Sequence, residues 1–316
     1  MIAKIMAKNK EIENVIILGT GPAGLTAALY AARADLKPIV LTGTEMGGQV
    51  SITDHIENYP GFPNGISGSE LADLFQKTAE RFGARIEFET ASSVDFTKPP
   101  YVVQTYDKEY QTKSVIITTG ASPNKLNVPG ERELRGKGVS YCATCDGWFF
   151  KGKKVAVIGG GDSALEEGLF LTRFAESVHI IHRRNEFRAG AILQKRAREN
   201  PRIQFIWDSV VEVINGGEAV ESLLIKNLKS NSTSELIVDG VFIFVGHSPN
   251  TEIFKDWLVL DEKKYIVVNQ RMQTVKAGIF AAGEVADPHY RQVITSAGMG
   301  AAAAIEATRY LENLKG

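Results

Sequence analysis

The chain has 316 residues, of which 44% are apolar and 23% charged, with 36 basic side chains set against 37 acidic ones. That length suits two domains of moderate size. The near-balance of charge argues against a nucleic-acid or membrane-surface partner, since neither sign dominates, and no apolar run is long enough for a transmembrane helix. The opening MIAKIMAKNKEIEN lacks the apolar core of a signal peptide and reads as an extension ahead of the first element. The only two cysteines, Cys142 and Cys145, stand together as Cys-Ala-Thr-Cys. A secreted disulfide scaffold would spread more of them along the chain, so this pair points to redox work in the cytoplasm.

Strand and helix patterns alternate from the start. Asn14 to Leu18 is a predicted strand, followed by Gly-Thr-Gly-Pro-Ala-Gly and an alanine-rich helix over Leu25 to Ala34. A second short strand falls at Pro38 to Leu41, and Ser114 to Thr118 closes the first section. The pattern restarts at Lys154 to Ile158 and runs into Gly-Gly-Gly-Asp-Ser-Ala and a helix through Phe174. Further strands follow at Val178 to Ile181 and Val241 to Val245. Such alternation predicts an α/β fold with parallel sheets and ligands at the carboxyl ends of the strands. The tail, Gly278 to Leu311, offers a strand and a long small-residue helix but no nucleotide turn, and is expected to return to the first domain. The predicted architecture is two Rossmann-like nucleotide-binding domains of the three-layer ββα type. Residues 1–122 and 250–316 form the first, and 123–249 form a second domain inserted into it. Hinges are expected in the Pro- and Gly-containing segments Gly120 to Gly130 and Gly246 to Thr251.

In the first signature, Gly19-Thr20-Gly21-Pro22-Ala23-Gly24, Gly19 permits the tight turn and Gly21 lets backbone approach a pyrophosphate. Gly24 allows close packing of helix on strand. The helix start then presents free N–H groups and a positive dipole end to phosphate. Glu45 lies about 20 residues on, where an acid often meets ribose, and a solvated loop carboxylate explains it nearly as well. The second signature is Gly159-Gly160-Gly161-Asp162-Ser163-Ala164. After the next strand come His182-Arg183-Arg184, with Arg188 one helical turn further. An NAD site would place an acid there, whereas arginines suit the 2′-phosphate of NADPH through charge-assisted bonds. A solvated basic turn is the alternative.

Two thiols two residues apart can close a small disulfide ring, a spacing that favours reversible chemistry. A zinc half-site fails for want of a second Cys pair or of histidines at ligand spacing, so no metal is expected. Two inert buried thiols are the other alternative. Asp146, next to Cys145, can hand protons to a leaving thiolate, though a plain turn residue would need no explanation. In the tail, Gly283-Glu284-Val285-Ala286-Asp287 and Arg291-Gln292-Val293-Ile294-Thr295 precede a helix dense in Gly and Ala. Its N-terminus can face an electron-rich ring and stabilise a reduced, anionic form.

With these motifs assembled, the chain resembles the low-molecular-weight, bacterial-type thioredoxin reductases from Asn14 to Leu311. The matching segments are GTGPAGLTAALYAARADLKP, GGQV, ENYPG, CATCDG, GGGDSALEEGLFLT, HRRNEFRA, GHSPNT and YRQVITSAGMGAAAA. CATC placed directly before the second nucleotide turn, together with HRRxxxR, is highly specific. The resemblance implies FAD in the first domain, NADPH in the second, a cytoplasmic homodimer, and thioredoxin as a transient disulfide-exchange partner. It implies flavin contacts at Gly19, Gly21, Pro22, Ala23 and Gly24, at Gly47, Gly48, Gln49 and Asn58, and at Gly283, Glu284, Arg291, Gln292 and Val293. NADPH contacts are implied at Gly161, Asp162, Ser163, His182, Arg183, Arg184 and Arg188. Cys145 is then the flavin-proximal sulfur, Cys142 the one that attacks thioredoxin, and Asp146 the acid–base group. One departure stands out, because members of that family usually carry Gly-Asp-Val-Ala-Asp where this chain has Glu284.

Other functions fit parts of the pattern. A dithiol oxidase on the same fold would pass electrons to oxygen, but it has no need of NADPH and so none of the arginine set. A nucleotide sensor without turnover would not keep Cys-Ala-Thr-Cys-Asp. A reductase of a different thioredoxin- or glutaredoxin-like partner is the remaining alternative.

Overall fold

The computed structural model describes residues 12–53, 56 and 58–314. The opening extension expected from the sequence lies mostly outside the described residues. In chain order the first elements are β1 (Ile12–Leu18), α1 (Pro22–Arg33), β2 (Ile39–Leu41), α2 (Gly68–Arg81), β3 (Arg85–Glu87), β4 (Ala91–Asp95), β5 (Tyr101–Thr105) and β6 (Glu109–Ile117). Then come β7 (Ala121–Pro123), β8 (Val139–Ser140), α3 (Ala143–Asp146), β9 (Lys154–Ile158), α4 (Asp162–Leu171), β10 (Ser177–Ile181), α5 (Ala191–Glu199) and β11 (Ile203–Ile206). The chain continues through β12 (Ser209–Gly216), β13 (Val220–Asn227), β14 (Thr233–Ile237), β15 (Gly240–Ile243), β16 (His247–Pro249), β17 (Ile279–Ala281) and α6 (Val293–Asn313). It divides into two compact units. One holds the residues up to Ser122 and from Ser248 onward; the other, Pro123–His247, lies between these pieces in the sequence.

The first unit is built on the sheet order β3-β2-β1-β6-β5-β4, with β17 also paired to β6. Strands β1, β2, β3, β6 and β17 run parallel, while β4, β5 and β6 form an antiparallel meander. Alternation along β1 sends Val15 and Ile17 into the core beneath α1 and α6. Ile16 and Leu18 point to the opposite face, against Phe96, Tyr101 and Phe254. Strand β1 starts at Ile12, two residues before the predicted Asn14, because Ile12 and Glu13 extend the ladder with β6. The Glu13 carboxylate also meets Arg85 at 2.6 Å. Helix α1 starts at Pro22, ahead of the predicted Leu25, since proline at the first helical position forfeits no hydrogen bond.

The second unit repeats the plan with a five-stranded parallel sheet, β11-β10-β9-β15-β8. Val155 and Val157 of β9 pack under α4 with Leu165 and Leu171. Ala156 and Ile158 face the antiparallel β12–β13–β14 meander through Ile214, Leu223 and Ile225. Both units are thus three-layered, helices over parallel sheet over meander, in agreement with the predicted α/β class. The second β layer agrees with the predicted ββα type, but the individual meander strands carry little signal in the sequence. Strands such as Thr-Ser-Glu-Leu-Ile in β14 cover the sheet with one face and leave the other to water, so their apolar signal is thin.

Small residues let α1 and α6 touch backbone to backbone. A β-carbon on Gly300 would lie 2.1 Å from the Ala23 carbonyl oxygen, and one on Gly283 would lie 2.8 Å from the Ala23 β-carbon. Gly300→Ala is therefore expected to push α6 off α1 and destabilise the first unit by about 2–3 kcal/mol, the scale of overpacking. The comparison is Gly298→Ala two residues away, where no described atom lies within 4 Å of the added carbon. That change should be neutral or slightly stabilising through helix propensity. Thermal unfolding of the two variants beside the parent checks this, and equal melting temperatures would contradict it.

Candidate active site

The disulfide chemistry is held by two short pieces of the second unit. Strand β8 pairs with β15 through Val139 and Ser140, and its carboxyl end delivers the chain directly to the cysteines. Cys142 and Cys145 form a disulfide, with their α-carbons 5.3 Å apart. Cys142 is the N-cap of α3, and its Sγ accepts the Cys145 backbone N–H at 3.2 Å. The Thr144 hydroxyl lies 3.3 Å from the same sulfur. Both contacts favour negative charge on Cys142 once the disulfide is opened. Asp146 closes the turn, its N–H donating to the Cys142 carbonyl at 3.2 Å. Its Oδ2 accepts the Ser140 hydroxyl at 2.5 Å.

Two residues outside the sequence-derived set support this turn. Glu131 is buried, and its carboxylate accepts the backbone N–H groups of Leu126 and Asn127 at 3.0 and 2.6 Å. It also accepts the Tyr141 hydroxyl at 2.7 Å, so the residue before Cys142 is tied to the stretch following β7. Burial, then the Glu131 carboxylate, pushes the Tyr141 phenol up. Arg135 covers the ring at 5.3 Å. Neither Ser140 nor Glu131 carries a motif; only their place in space identifies them.

In the same unit, the glycine turn and the basic segment fold onto one another. The Gly161 end of α4 has no side-chain cap, and no described atom lies within 4 Å of where its β-carbon would be. The Arg188 N–H donates to the Gly160 carbonyl at 2.8 Å, and the Gly190 N–H donates to Asp162 Oδ1 at 2.7 Å. The His182 ring packs flat on Gly160, where a β-carbon would come within 2.3 Å of it. His182 is buried, and its Nε2 meets no hydrogen-bond partner among the described residues. Burial lowers its proton affinity, with Arg184, Arg188 and Arg183 acting in the same direction against a backbone hydrogen bond. Arg183, Arg184 and Arg188 are exposed beside the turn, and Ser163 is half-buried in the first turn of α4.

The first unit gathers the remaining sequence-derived positions around the start of α1. Gly21 caps that helix without a side chain, and the space over it is open among the described residues. Thr20 Oγ1 accepts the Gly47 N–H at 3.2 Å, and a β-carbon on Gly48 would sit 3.3 Å from the Gly21 α-carbon. Gly48 and Gln49 open a short 3-10 turn there. Glu45 contributes its backbone carbonyl to the Gly48 N–H, while its side chain is exposed. Gly283 abuts Ala23, as given above, with Pro22 between Gly21 and that contact. Asn58 Nδ2 donates to Gln292 Oε1 at 3.1 Å, and Gln292 forms a capping box with Thr295 at the start of α6, ahead of Val293.

The loop before α6 is wound on the buried Asp287 carboxylate. Oδ1 accepts the His289 and Tyr290 N–H groups at 2.9 and 3.0 Å, and Oδ2 accepts Arg291 N–H at 3.4 Å. Arg291 itself takes a left-handed backbone with φ of 52°, an uncommon conformation for a side chain of its kind. Burial pushes the Glu284 carboxyl up to about 7, with Arg291 opposing and Asp287 adding to the effect.

With this geometry in view, comparisons with known proteins are informative. The family model for pyridine nucleotide-disulphide oxidoreductases matches residues 13–300. The chain is similar to a thioredoxin reductase of Streptomyces coelicolor, 47% identical over 307 residues that cover 96% of this chain and 95% of that one. A bifunctional thioredoxin reductase/thioredoxin of Mycobacterium leprae is 49% identical over 305 residues, 96% of this chain and 67% of that protein. Among solved structures, the thioredoxin reductase of Streptococcus pyogenes superposes with a TM-score of 0.92 at 42% identity, covering 96% of this chain and 99% of its own.

The raised Glu284 carboxyl has a consequence for stability. A carboxyl that binds its proton more tightly in the fold contributes stability that is fully present below the ordinary value of 4.5 and is lost as pH rises through about 7. Glu284→Gln is therefore expected to flatten the fall in stability of the apoprotein between about pH 5 and pH 8, a difference on the order of 2 kcal/mol. Melting curves across that range check it, and parallel curves for the two proteins would contradict it.

Proposed function

The chain belongs to the pyridine nucleotide-disulphide oxidoreductase family, as a thioredoxin reductase with relatives at 42 to 49% identity over nearly its whole length, and from that membership we propose how its residues divide the work. The enzyme moves electrons from NADPH through FAD to a cysteine pair and on to thioredoxin. The observation that carries our reading is the Cys142–Cys145 disulfide, set in the same unit as the second glycine turn and its arginines.

Bound FAD supplies a two-electron carrier that takes hydride from NADPH and can pass the pair to a disulfide. The residues at the start of α1 fit that cofactor. Open space over Gly21, the uncapped helix N-terminus and the close backbone of Gly48 suit a pyrophosphate, and Gly283 lies beside Ala23 at the same end. Gly161, Asp162 and Ser163 would hold the NADPH pyrophosphate in the second unit, and Arg183, Arg184 and Arg188 its 2′-phosphate, with His182 against the turn.

The thiol chemistry then falls to this chain's own groups. Reduction of the disulfide leaves sulfur anions at Cys142 and Cys145. The Cys142 thiolate, supported by the Cys145 N–H and the Thr144 hydroxyl, attacks one sulfur of the thioredoxin disulfide. The departing thioredoxin thiolate takes a proton from Asp146. Cys145 attacks Cys142 in turn, restores the disulfide and releases the second thioredoxin thiolate. This assignment makes Cys145 the sulfur nearer the flavin. Family membership also supports a homodimer acting in the cytoplasm, and no helix among the described residues is long and apolar enough to cross a membrane.

The cofactor assignment is tested at the arginines. Arg183→Ala with Arg184→Ala should lower kcat/KM for NADPH by about 100-fold or more, each charge-assisted contact contributing about 1.5–3 kcal/mol, and leave NADH use nearly unchanged. Steady-state rates with both nucleotides and oxidised thioredoxin read this out. Equal use of NADPH and NADH by the parent enzyme would overturn it.

A further inference from the structure

Ser140 lies at the carboxyl end of β8, its backbone fixed by the parallel ladder to Phe242 of β15, and is buried, with 5% of its surface exposed. Its oxygen touches three groups. The Cys142 N–H donates to it at 3.1 Å, the Asp146 carboxylate lies at 2.5 Å, and the Cys142 carbonyl lies at 3.2 Å. A hydroxyl has one hydrogen to give. The carboxylate is both the nearer and the stronger acceptor, so the hydrogen goes to Asp146 Oδ2, and a lone pair takes the Cys142 N–H. The serine oxygen thus joins the backbone of the attacking cysteine to the carboxyl group of Asp146.

We propose that Ser140 is the positioning residue for Asp146: it holds the carboxyl group in line with the thiol exchange and does so from β8, a strand paired into the parallel sheet. The inference rests on the thiol–disulfide reading given above. In the step it assists, the Cys142 thiolate forms a bond to one sulfur of the substrate disulfide and the substrate's S–S bond breaks. The leaving thiolate takes a proton carried on Asp146 Oδ1 while Oδ2 keeps the Ser140 bond, and the resulting carboxylate is reprotonated from solvent. Ser140 neither gains nor loses a proton. Without the hydroxyl, Asp146 loses its tether to β8 and the Cys142 N–H loses its acceptor. Loss of the 2.5 Å bond shifts the Asp146 carboxyl group from its line to the leaving sulfur, and misplacement of a proton donor of this kind costs about 10-fold or more in rate.

The chemistry of the leaving group separates positioning from a merely structural role. An alkyl thiolate, with an ordinary pKa near 8.5, leaves with help from an acid, whereas an aromatic thiolate that is stable as an anion at neutral pH leaves without it. Flavin-loaded enzyme is reduced with NADPH and mixed in single turnover with either oxidised thioredoxin or an aromatic disulfide. Four proteins are compared: parent, Ser140→Ala, Asp146→Asn, and the double variant. We expect Ser140→Ala to slow the thioredoxin reaction by about 10-fold and to leave the aromatic disulfide within about 2-fold of the parent. Asp146→Asn should do the same or more, and adding Ser140→Ala to it should cost nothing further, since the tethered group is already gone. Ser140→Thr, which keeps the hydroxyl, should restore most of the thioredoxin rate. Equal losses on both substrates, or losses that multiply in the double variant, would overturn the proposal. A parent enzyme that reacts with the aromatic disulfide but not with thioredoxin would strike the substrate assignment instead. The same comparison on a small alkyl disulfide would then decide the role of Ser140.

Discussion

A β-carbon on Gly24 would lie 1.9 Å from the Gly19 carbonyl oxygen, and one on Gly300 would lie 2.1 Å from that of Ala23. In the second unit a β-carbon on Gly159 would come within 2.5 Å of the Phe244 carbonyl oxygen and 2.7 Å of the Ala164 side chain. Strand end, turn and helix start are packed so tightly that no side chain fits between them. This contact sets the angle at which α1 and α4 leave their sheets. It also brings the first N–H groups of each helix to the carboxyl edge of the parallel strands, where no side chain caps them. Each unit thus presents the uncapped backbone geometry that anion binding requires.

The redox turn solves a different problem. A disulfide between residues three apart constrains little of the chain, so its value is chemical. What surrounds it is accordingly polar and well tied: Cys142 as the cap of α3, Ser140 and Asp146 bridged at the end of β8, and Glu131 fastening Tyr141 to the preceding loop. Each tie runs to backbone or to a carboxylate. The two sulfurs can change oxidation state while the groups that serve them stay in place.

Sequence patterns identified the glycine turns, the cysteine pair and the arginine cluster because each of these is local. Its meaning depends on a spacing of a few residues and on the strand before it. The longer parallel strands are legible from their continuous Val and Ile runs, as in Lys154–Ile158, whereas the short parallel strands β3, β8 and β11 carry no such run. Half-exposed strands are not, so the strands of the meanders cannot be placed from sequence, and the predicted Ser114 to Thr118 covers only the buried end of the nine-residue β6. Ser140 and Glu131 are invisible for a further reason. A serine at a strand end and a glutamate in a loop are commonplace, and their importance arises only from what the fold places at 2.5 to 3.1 Å from them. Glu284 is the reverse case, since the sequence marked it as a departure. The structure adds that burial and Asp287 raise its proton affinity while Arg291 restrains it.

One chain carries two acceptors in series, a flavin and the Cys142–Cys145 disulfide. Anaerobic titration of the flavin-loaded enzyme with NADPH, followed by flavin absorbance and by counting thiols, tests it most directly. Two two-electron acceptors predict uptake of about two NADPH per chain, with two new thiols appearing, and about one NADPH when both cysteines are replaced by serine. Uptake that stops at about one equivalent in the parent enzyme, with no thiols released, would mean that the disulfide lies off the electron path and would contradict the account.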